Sequence, residues 1–224
     1  MNPRHPVLPD GIAVSPAARR PLSPRFHRRP ADELARALLG RLLIHRTPEG
    51  EAGGWIVETE AYAGEDDPAS HAAAGRTNRN RVMYGPAGLA YVYFTYGMHW
   101  CMNVVAGPTG RASAVLIRAL EPAIGLDLMR RRRGGRVADR ELASGPARLC
   151  LALGIDGAQN GARLSGSALV VARGRGRPRS LGVSGRVGIR VGLESPWRFF
   201  DQESQFVSRG RPGPPAGRRA PLSG

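Results

Sequence analysis

Two stretches hold the residue types that could do chemistry: Trp55-Ile-Val-Glu-Thr-Glu-Ala-Tyr62 and Tyr91-Val-Tyr-Phe-Thr-Tyr-Gly-Met98. In the first, carboxylates interrupt an apolar, strand-like run. Side chains alternate faces along a strand, which predicts Glu58, Glu60 and Tyr62 on one face and Val57 and Thr59 on the other. Acids are rare on the inner side of an apolar strand unless they are paired or used. Glu60 is therefore the leading candidate for a general acid or base, the plainer reading being a carboxylate paired with an arginine. The second stretch sets three tyrosines near Gly97, which can take a positive φ and turn the chain. Tyr91 and Tyr93 share a face, while Tyr96 falls at the tip of the predicted hairpin. A ring left at a tip in water asks for a partner.

Other residues extend the set. Tyr62, His71, Tyr93 and Tyr96 are flat side chains able to sandwich a nucleic-acid base, and stacking yields roughly 1–3 kcal/mol per base. The plainer reading of these rings is the packing of a small sheet. Asn103 could read a base edge through its amide, or be a satisfied buried amide. Arg118 interrupts the apolar run Ala114-Val-Leu-Ile-Arg-Ala-Leu120, and a buried guanidinium there needs an anion such as Glu60 or a phosphate.

Composition narrows the choice. The chain has 224 residues with 33 basic and 18 acidic side chains, a net charge of +15 and a pI near 11.4. That balance favours a polyanionic partner. Every basic side chain is Arg and none is Lys, so no side-chain amine can form a Schiff base, and a covalent-imine lyase is disfavoured. Cys101 and Cys150 are too few for a disulfide framework or a four-ligand zinc site. No zinc-deaminase, phosphate-loop or nucleophile-elbow motif occurs. No metal or cofactor is expected. With no secretory signal and no membrane-length apolar run, a cytoplasmic protein is expected.

The elements that must position these residues follow from pattern. Pro30 to Gly40 predicts a short helix, with proline and acids at its start and glycine at its end. Strands are predicted over Leu42–Thr47, Trp55–Tyr62, Ala90–Tyr96, Trp100–Val105 and Ala114–Ala119, with a turn at Pro48–Gly54. Ala63–Pro86 is a loop longer than compact domains usually carry. Pro122 is expected to open a helix ending in the Arg130–Arg133 run, and a further helix over Asp139–Leu153 is interrupted near Gly145-Pro146. Late strands are expected at Leu169–Ala172 and Val187–Val191, separated by an Arg/Gly/Pro loop from Gly174 to Gly185. Residues 1–24 and 210–224 are expected to be disordered tails around one domain over residues 25–209.

Taken in order, Val57-Glu-Thr-Glu-Ala-Tyr62, Ser70-His71, Arg79-Asn-Arg81, Tyr91 to Met98, Cys101-Met-Asn103, Leu116-Ile-Arg-Ala-Leu-Glu-Pro122, Ser144-Gly-Pro146 and Arg186-Val-Gly188 resemble the alkyladenine, or methylpurine, DNA glycosylase family. The resemblance runs from about Arg25 to about Arg209. It implies an α+β (mixed α/β) single domain: a curved, largely antiparallel sheet surrounded by helices, with a protruding β-hairpin on a DNA-binding face. It implies that Glu60 activates water, that Arg118 and the main-chain carbonyl of Val187 help to position it, and that Tyr62, His71, Tyr93 and Asn103 form the base pocket. It implies that Tyr96 fills the gap left in the duplex by a flipped purine. His99 stands where animal members carry tyrosine.

The expected activity is monofunctional hydrolysis of the N-glycosidic bond of damaged purines in double-stranded DNA, without strand cleavage and by a monomer. Arg76, Arg79, Arg81 and Arg148 are candidates for phosphate contacts, solvated decoration being the plainer reading of each. The sequence leaves 3-methyladenine, 7-methylguanine, hypoxanthine and ethenoadenine open as the lesion. A non-catalytic binder of distorted DNA and a nucleoside N-glycosidase are the rival readings.

Overall fold

The strand-forming runs pair into one curved antiparallel sheet. In the computed structural model, which describes residues 14–210, the strands are β1 (Leu42–Thr47), β2 (Gly50–Tyr62), β3 (Ala90–Thr95), β4 (His99–Val105), β5 (Ala114–Ile124), β6 (Leu169–Ala172), β7 (Leu181–Ser184) and β8 (Arg198–Asp201). Their order is β3-β4-β5-β2-β1-β6, and β8 pairs with both β2 and β7. The helices are α1 (Pro24–His27), α2 (Ala31–Leu38), α3 (Leu126–Arg132) and α4 (Pro146–Leu153). The result is a single mixed α+β domain.

β2 is the hub. Along one edge it pairs with β1 from Gly50 to Trp55 and with β8 from Glu58 to Glu60, and β5 takes the other edge. Where the partner changes, Ile56 donates to the carbonyl of Arg41 and accepts from the N–H of Gly40, so the break leaves no polar group unpaired. α2 lies on this strand with Leu34, Ala35 and Leu38 buried. Burying each such leucine stabilises by roughly 1.5–3 kcal/mol. The Thr59 hydroxyl donates to the Ala35 carbonyl at 2.9 Å, tying strand to helix.

Alternation divides the sheet into two faces. Ala90, Val92, Met102, Val104, Val115, Ile117 and Ala61 join α2 and α4 in the main core. Their neighbours Tyr91, Tyr93, Cys101, Asn103, Leu116 and Tyr62 line a cavity on the opposite face.

Several expectations are corrected. β2 begins at Gly50, so the turn before it shrinks to Pro48-Glu49. Val57 does not share a face with Thr59, because the register slips there and Val57 packs on Ala119 and Phe206. Pro122 opens no helix. It continues β5 opposite Gly54, beside a register shift, where a strand tolerates the missing N–H, and α3 starts only at Leu126. Val187–Val191 is not a strand, since Gly188 at φ 77° bends it into a loop. The Arg/Gly/Pro stretch contains β7, and β8 was not anticipated.

Of the segments expected as tails, residues 1–13 and 211–224 lie outside the described residues. Residues 14–24 are packed: Leu22 donates to the carbonyl of Val171, and Arg19 pairs with Glu51 at 2.8 Å. The long loop is knotted by Asn80, whose buried amide donates to the carbonyls of His71 and Gly75 and accepts from the N–H of Thr77. Among the described residues no helix is long and apolar enough to cross a membrane.

Candidate active site

Register assembles the site. Tyr91 stands opposite Asn103, Asn103 opposite Leu116, and Leu116 opposite Glu60, one row across β3, β4, β5 and β2. Register shifts at Val57 on β2 and at Arg118 on β5 interrupt the ladder next to this row. Such bulges re-aim side chains. Here the Arg118 guanidinium reaches both Glu58 and Glu60.

The Glu60 side chain is wholly buried. Its Oε1 accepts the Val187 N–H at 2.6 Å and lies 3.3 Å from Arg118 Nη1, while Oε2 accepts the Tyr62 hydroxyl at 3.0 Å. Val187 thus meets Glu60 through its N–H, whereas the resemblance implied a role for its carbonyl. Burial pushes the Glu60 carboxyl above the usual range, against the opposing pull of Arg118, the Val187 N–H and Tyr62. Burial, with Glu60 beside it, also raises the Tyr62 phenol well above its ordinary value, so it stays a donor.

Glu58 has the opposite setting. Burial is outweighed by Arg118, Arg198 and the Ser208 N–H, which together hold its carboxyl below the usual range. Arg118 and Arg198 approach it at 2.8 and 2.7 Å, and the Ser208 N–H at 2.7 Å.

In front of Glu60 lies a cavity of about 340 Å³ walled by Tyr62, His71, Tyr93, Asn103, Arg118 and Val187. Glu60 sits one layer behind it, and its three partners form the intervening wall. His71 and Tyr93 meet edge to face with centroids 4.4 Å apart, and Tyr91 stacks behind Tyr93 at 5.4 Å. Tyr91 Oη lies 2.9 Å from His71 Nδ1. Burial and the nearby Arg79 lower the His71 pKa, keeping the imidazole neutral at neutral pH. The Asn103 amide donates to the Tyr91 carbonyl at 3.1 Å, which fixes its orientation.

Tyr96 borders the cavity, is 83% exposed, and has φ 52°, the only positive φ among the described non-glycine residues. With Gly97 at φ 67° it makes a tight reversal closed by Met98 donating to the Thr95 carbonyl. The candidate phosphate contacts are dispersed. Arg79 donates to the Phe94 carbonyl at 2.9 Å and lies over the Tyr93 ring, bracing the hairpin. Arg76 lies over Tyr84, Arg81 is exposed at the start of a 3-10 turn, and Arg148 is exposed on α4 with Glu141 3.8 Å away.

One set of residues escaped sequence reasoning. Arg186 is fully buried, grips Asp67 with both terminal nitrogens at 2.5 and 2.8 Å, and donates to the carbonyls of Ala61 and Gly192. Its guanidinium also lies 4.8 Å from the Tyr62 ring centre. This clamp holds the Val187 loop against the end of β2. The resemblance marked Arg186-Val-Gly188, but nothing in the sequence pattern marked Asp67 as its partner. Among the described residues, no group of three His, Cys, Asp or Glu side chains is placed to hold a metal ion.

A family model described as methylpurine-DNA glycosylase matches residues 25–205. A Burkholderia cenocepacia protein named "Putative 3-methyladenine DNA glycosylase" is 50% identical over 186 residues, covering 82% of this chain and 88% of the relative. Relatives of the same name from Streptomyces avermitilis and Carboxydothermus hydrogenoformans are each 47% identical, covering 90% and 84% of this chain and 97% and 99% of their own lengths. A chain matched over so much of its length, with an acid behind a ring-walled cavity beside an exposed aromatic tip, belongs to the methylpurine-DNA glycosylase family.

Proposed function

We propose that this protein is a monofunctional glycosylase that takes alkylated or deaminated purines out of duplex DNA into the ring-walled cavity and hydrolyses the N-glycosidic bond with water activated by Glu60. The observation that carries this reading is the buried Glu60 carboxylate, held by Val187, Tyr62 and Arg118 behind the cavity wall.

A base within the helix hides C1′, so the nucleotide must rotate out, losing a few kcal/mol of stacking and pairing. Tyr96 offsets part of that loss by entering the vacated slot. Purines alkylated at N3 or N7 carry positive charge, which the electron-rich face of Tyr93 and the neutral His71 favour. As the glycosidic bond breaks, its electron pair leaves with the base and neutralises a cationic alkylpurine, whereas a neutral deaminated purine must also take up a proton as it departs. Water oxygen bonds to C1′, and its proton passes to the ionised Glu60. A carboxyl whose pKa lies above the usual range is a stronger base when ionised, which suits it to that transfer. With no lysine to form an imine, the product is an intact abasic strand.

The test is single-turnover base release from duplexes carrying 3-methyladenine, 7-methylguanine, hypoxanthine or ethenoadenine. Glu60→Gln should abolish release while leaving lesion binding intact. Wild-type protein that binds lesions without releasing any base is a binder, and release from free nucleosides that survives Tyr96→Ala makes it a nucleoside N-glycosidase.

A further inference from the structure

The ladder between β2 and β5 is broken twice in quick succession. Ile56 stands opposite Leu120, Glu58 opposite Ala119 and Thr59 opposite Ile117, so Val57 and Arg118 are both left out of the pairing. A residue set free at a bulge needs a further element to fix where it points. Residues 204–210, the strap that follows β8, supply that element. Phe206 is buried against Val57 and Ala119, and the Ser144 hydroxyl donates to the Val207 carbonyl at 3.5 Å. Ser208 then reaches Arg118.

The same strap touches both groups that meet Glu60 Oε1. Ser208 Oγ accepts from Arg118 Nη2 at 3.3 Å and donates to Glu58 Oε1 at 2.9 Å. A hydroxyl can accept from a guanidinium and donate to a carboxylate through one atom. Arg118 thus places Nε on Glu58, Nη1 on Glu60 and Nη2 on Ser208. Two residues further on, Gly210 lies against Val187. A Cβ there would sit 2.5 Å from Val187 Cγ1 and 3.3 Å from Arg118 Nη2, so the backbone fits only without a side chain.

From this geometry we infer that Ser208 and Gly210 are positioning residues of the active site: Ser208 sets the angle of Arg118, and Gly210 leaves room for Val187, so that both meet Glu60. The inference rests on the role of Glu60 given above. Arg118 and Val187 themselves line the base cavity, and the strap acts through them. Loosening either contact weakens the pull by which Arg118 and the Val187 N–H oppose burial at the Glu60 carboxyl. The other charged or titratable groups around Glu60 are Glu58, Tyr62, Cys101 and Arg186, with Arg198 behind Glu58, and none belongs to the strap.

The experiment is single-turnover base release across pH by wild type, Ser208→Ala, Ser208→Thr and Gly210→Ala. The two alanine variants should slow release by about tenfold or more and leave lesion affinity unchanged. Their acid limb should move to higher pH, because a carboxylate with weaker partners holds its proton more tightly. Ser208→Thr keeps the hydroxyl and should restore both rate and limb. A limb that stays in place while the melting temperature falls would reduce the strap to packing and overturn the inference. So would a threonine variant no better than alanine, or a loss of affinity equal to the loss of rate. If wild type releases no base, the glycosylase reading fails, and the titration of the Glu60 carboxyl in the free protein, followed by carboxyl-carbon NMR, still decides this one. Ser208→Ala should raise its midpoint, and an unchanged midpoint overturns the inference.

Discussion

Glu58 and Glu60 project from the same face of β2 and share the Arg118 guanidinium, yet their carboxyls are shifted in opposite directions. For Glu60 the folded chain holds the proton more tightly than the unfolded chain does. The ionised acid therefore lowers stability increasingly as pH rises through that raised range. Glu60→Gln should melt above wild type by a margin that widens as pH rises above the ordinary carboxyl range. A margin that narrows with rising pH contradicts the assignment. Base release should lose its acid limb at a higher pH than the one at which the fold unfolds.

Glu58 contributes stability of the other sign. Its contribution is complete above the ordinary carboxyl range and is lost as pH falls toward its lowered value. Glu58→Gln leaves Arg118 and Arg198 buried without their shared anion, and should destabilise by about 3–5 kcal/mol in urea unfolding at neutral pH. The loss should shrink as the pH is lowered. An equal loss at every pH would mean packing, not charge, is being measured.

Arg186 grips Asp67 and the Ala61 carbonyl next to Val187, whose N–H meets Glu60, so under the proposed mechanism it acts as a positioning residue. Arg186→Lys keeps a cation but cannot grip Asp67 with two prongs. It should slow single-turnover release by about 10²-fold with little change in lesion affinity. A loss of affinity that matches the loss of rate would place Arg186 in binding instead.

Tyr96 holds a left-handed backbone conformation that a side chain adopts at a cost of roughly 1–2 kcal/mol. Tyr96→Gly relieves that strain and exposes no core, so it should raise thermal stability. It should also cut base release from duplex DNA while sparing release from a single strand. A variant less stable than wild type would show that the tip ring packs in solution.

His27 is a buried imidazole, and burial lowers its pKa to about 4 against the weaker pull of the Ser23 backbone. The unfolded chain takes up the proton near pH 6.5 and the folded chain only near 4, so stability is full above the first value and falls toward the second. The loss approaches about 3 kcal/mol by the lower limit. His27→Phe should therefore stabilise the protein most in mildly acidic buffer, as read from chemical denaturation across that range. A gain that does not depend on pH would assign the effect to packing.

What was legible in the sequence was local. Alternation placed Glu60 with Tyr62 and Tyr91 with Tyr93 because one chain segment fixes each pair. Asn103 came forward because it is polar in an apolar strand. The clamp from Arg186 to Asp67 spans 119 positions, and no local pattern encodes a partner at that distance. Pro122 looked like a helix start because proline is equally at home beside a bulge. β7 and β8 are short, and Arg198-Phe-Phe-Asp201 shows no alternation to announce a strand. Val57 departed from simple alternation because an extra residue resets the faces on either side of it.

The row from Tyr91 through Asn103 and Leu116 to Glu60 means that parity, more than composition, defines the slot. Inserting or deleting a single residue in β4 would rotate Met102 and Val104 into the place of Asn103 and drive the amide into the helix-packed side. The strands can change length only in steps of two if the row is to stay on one face.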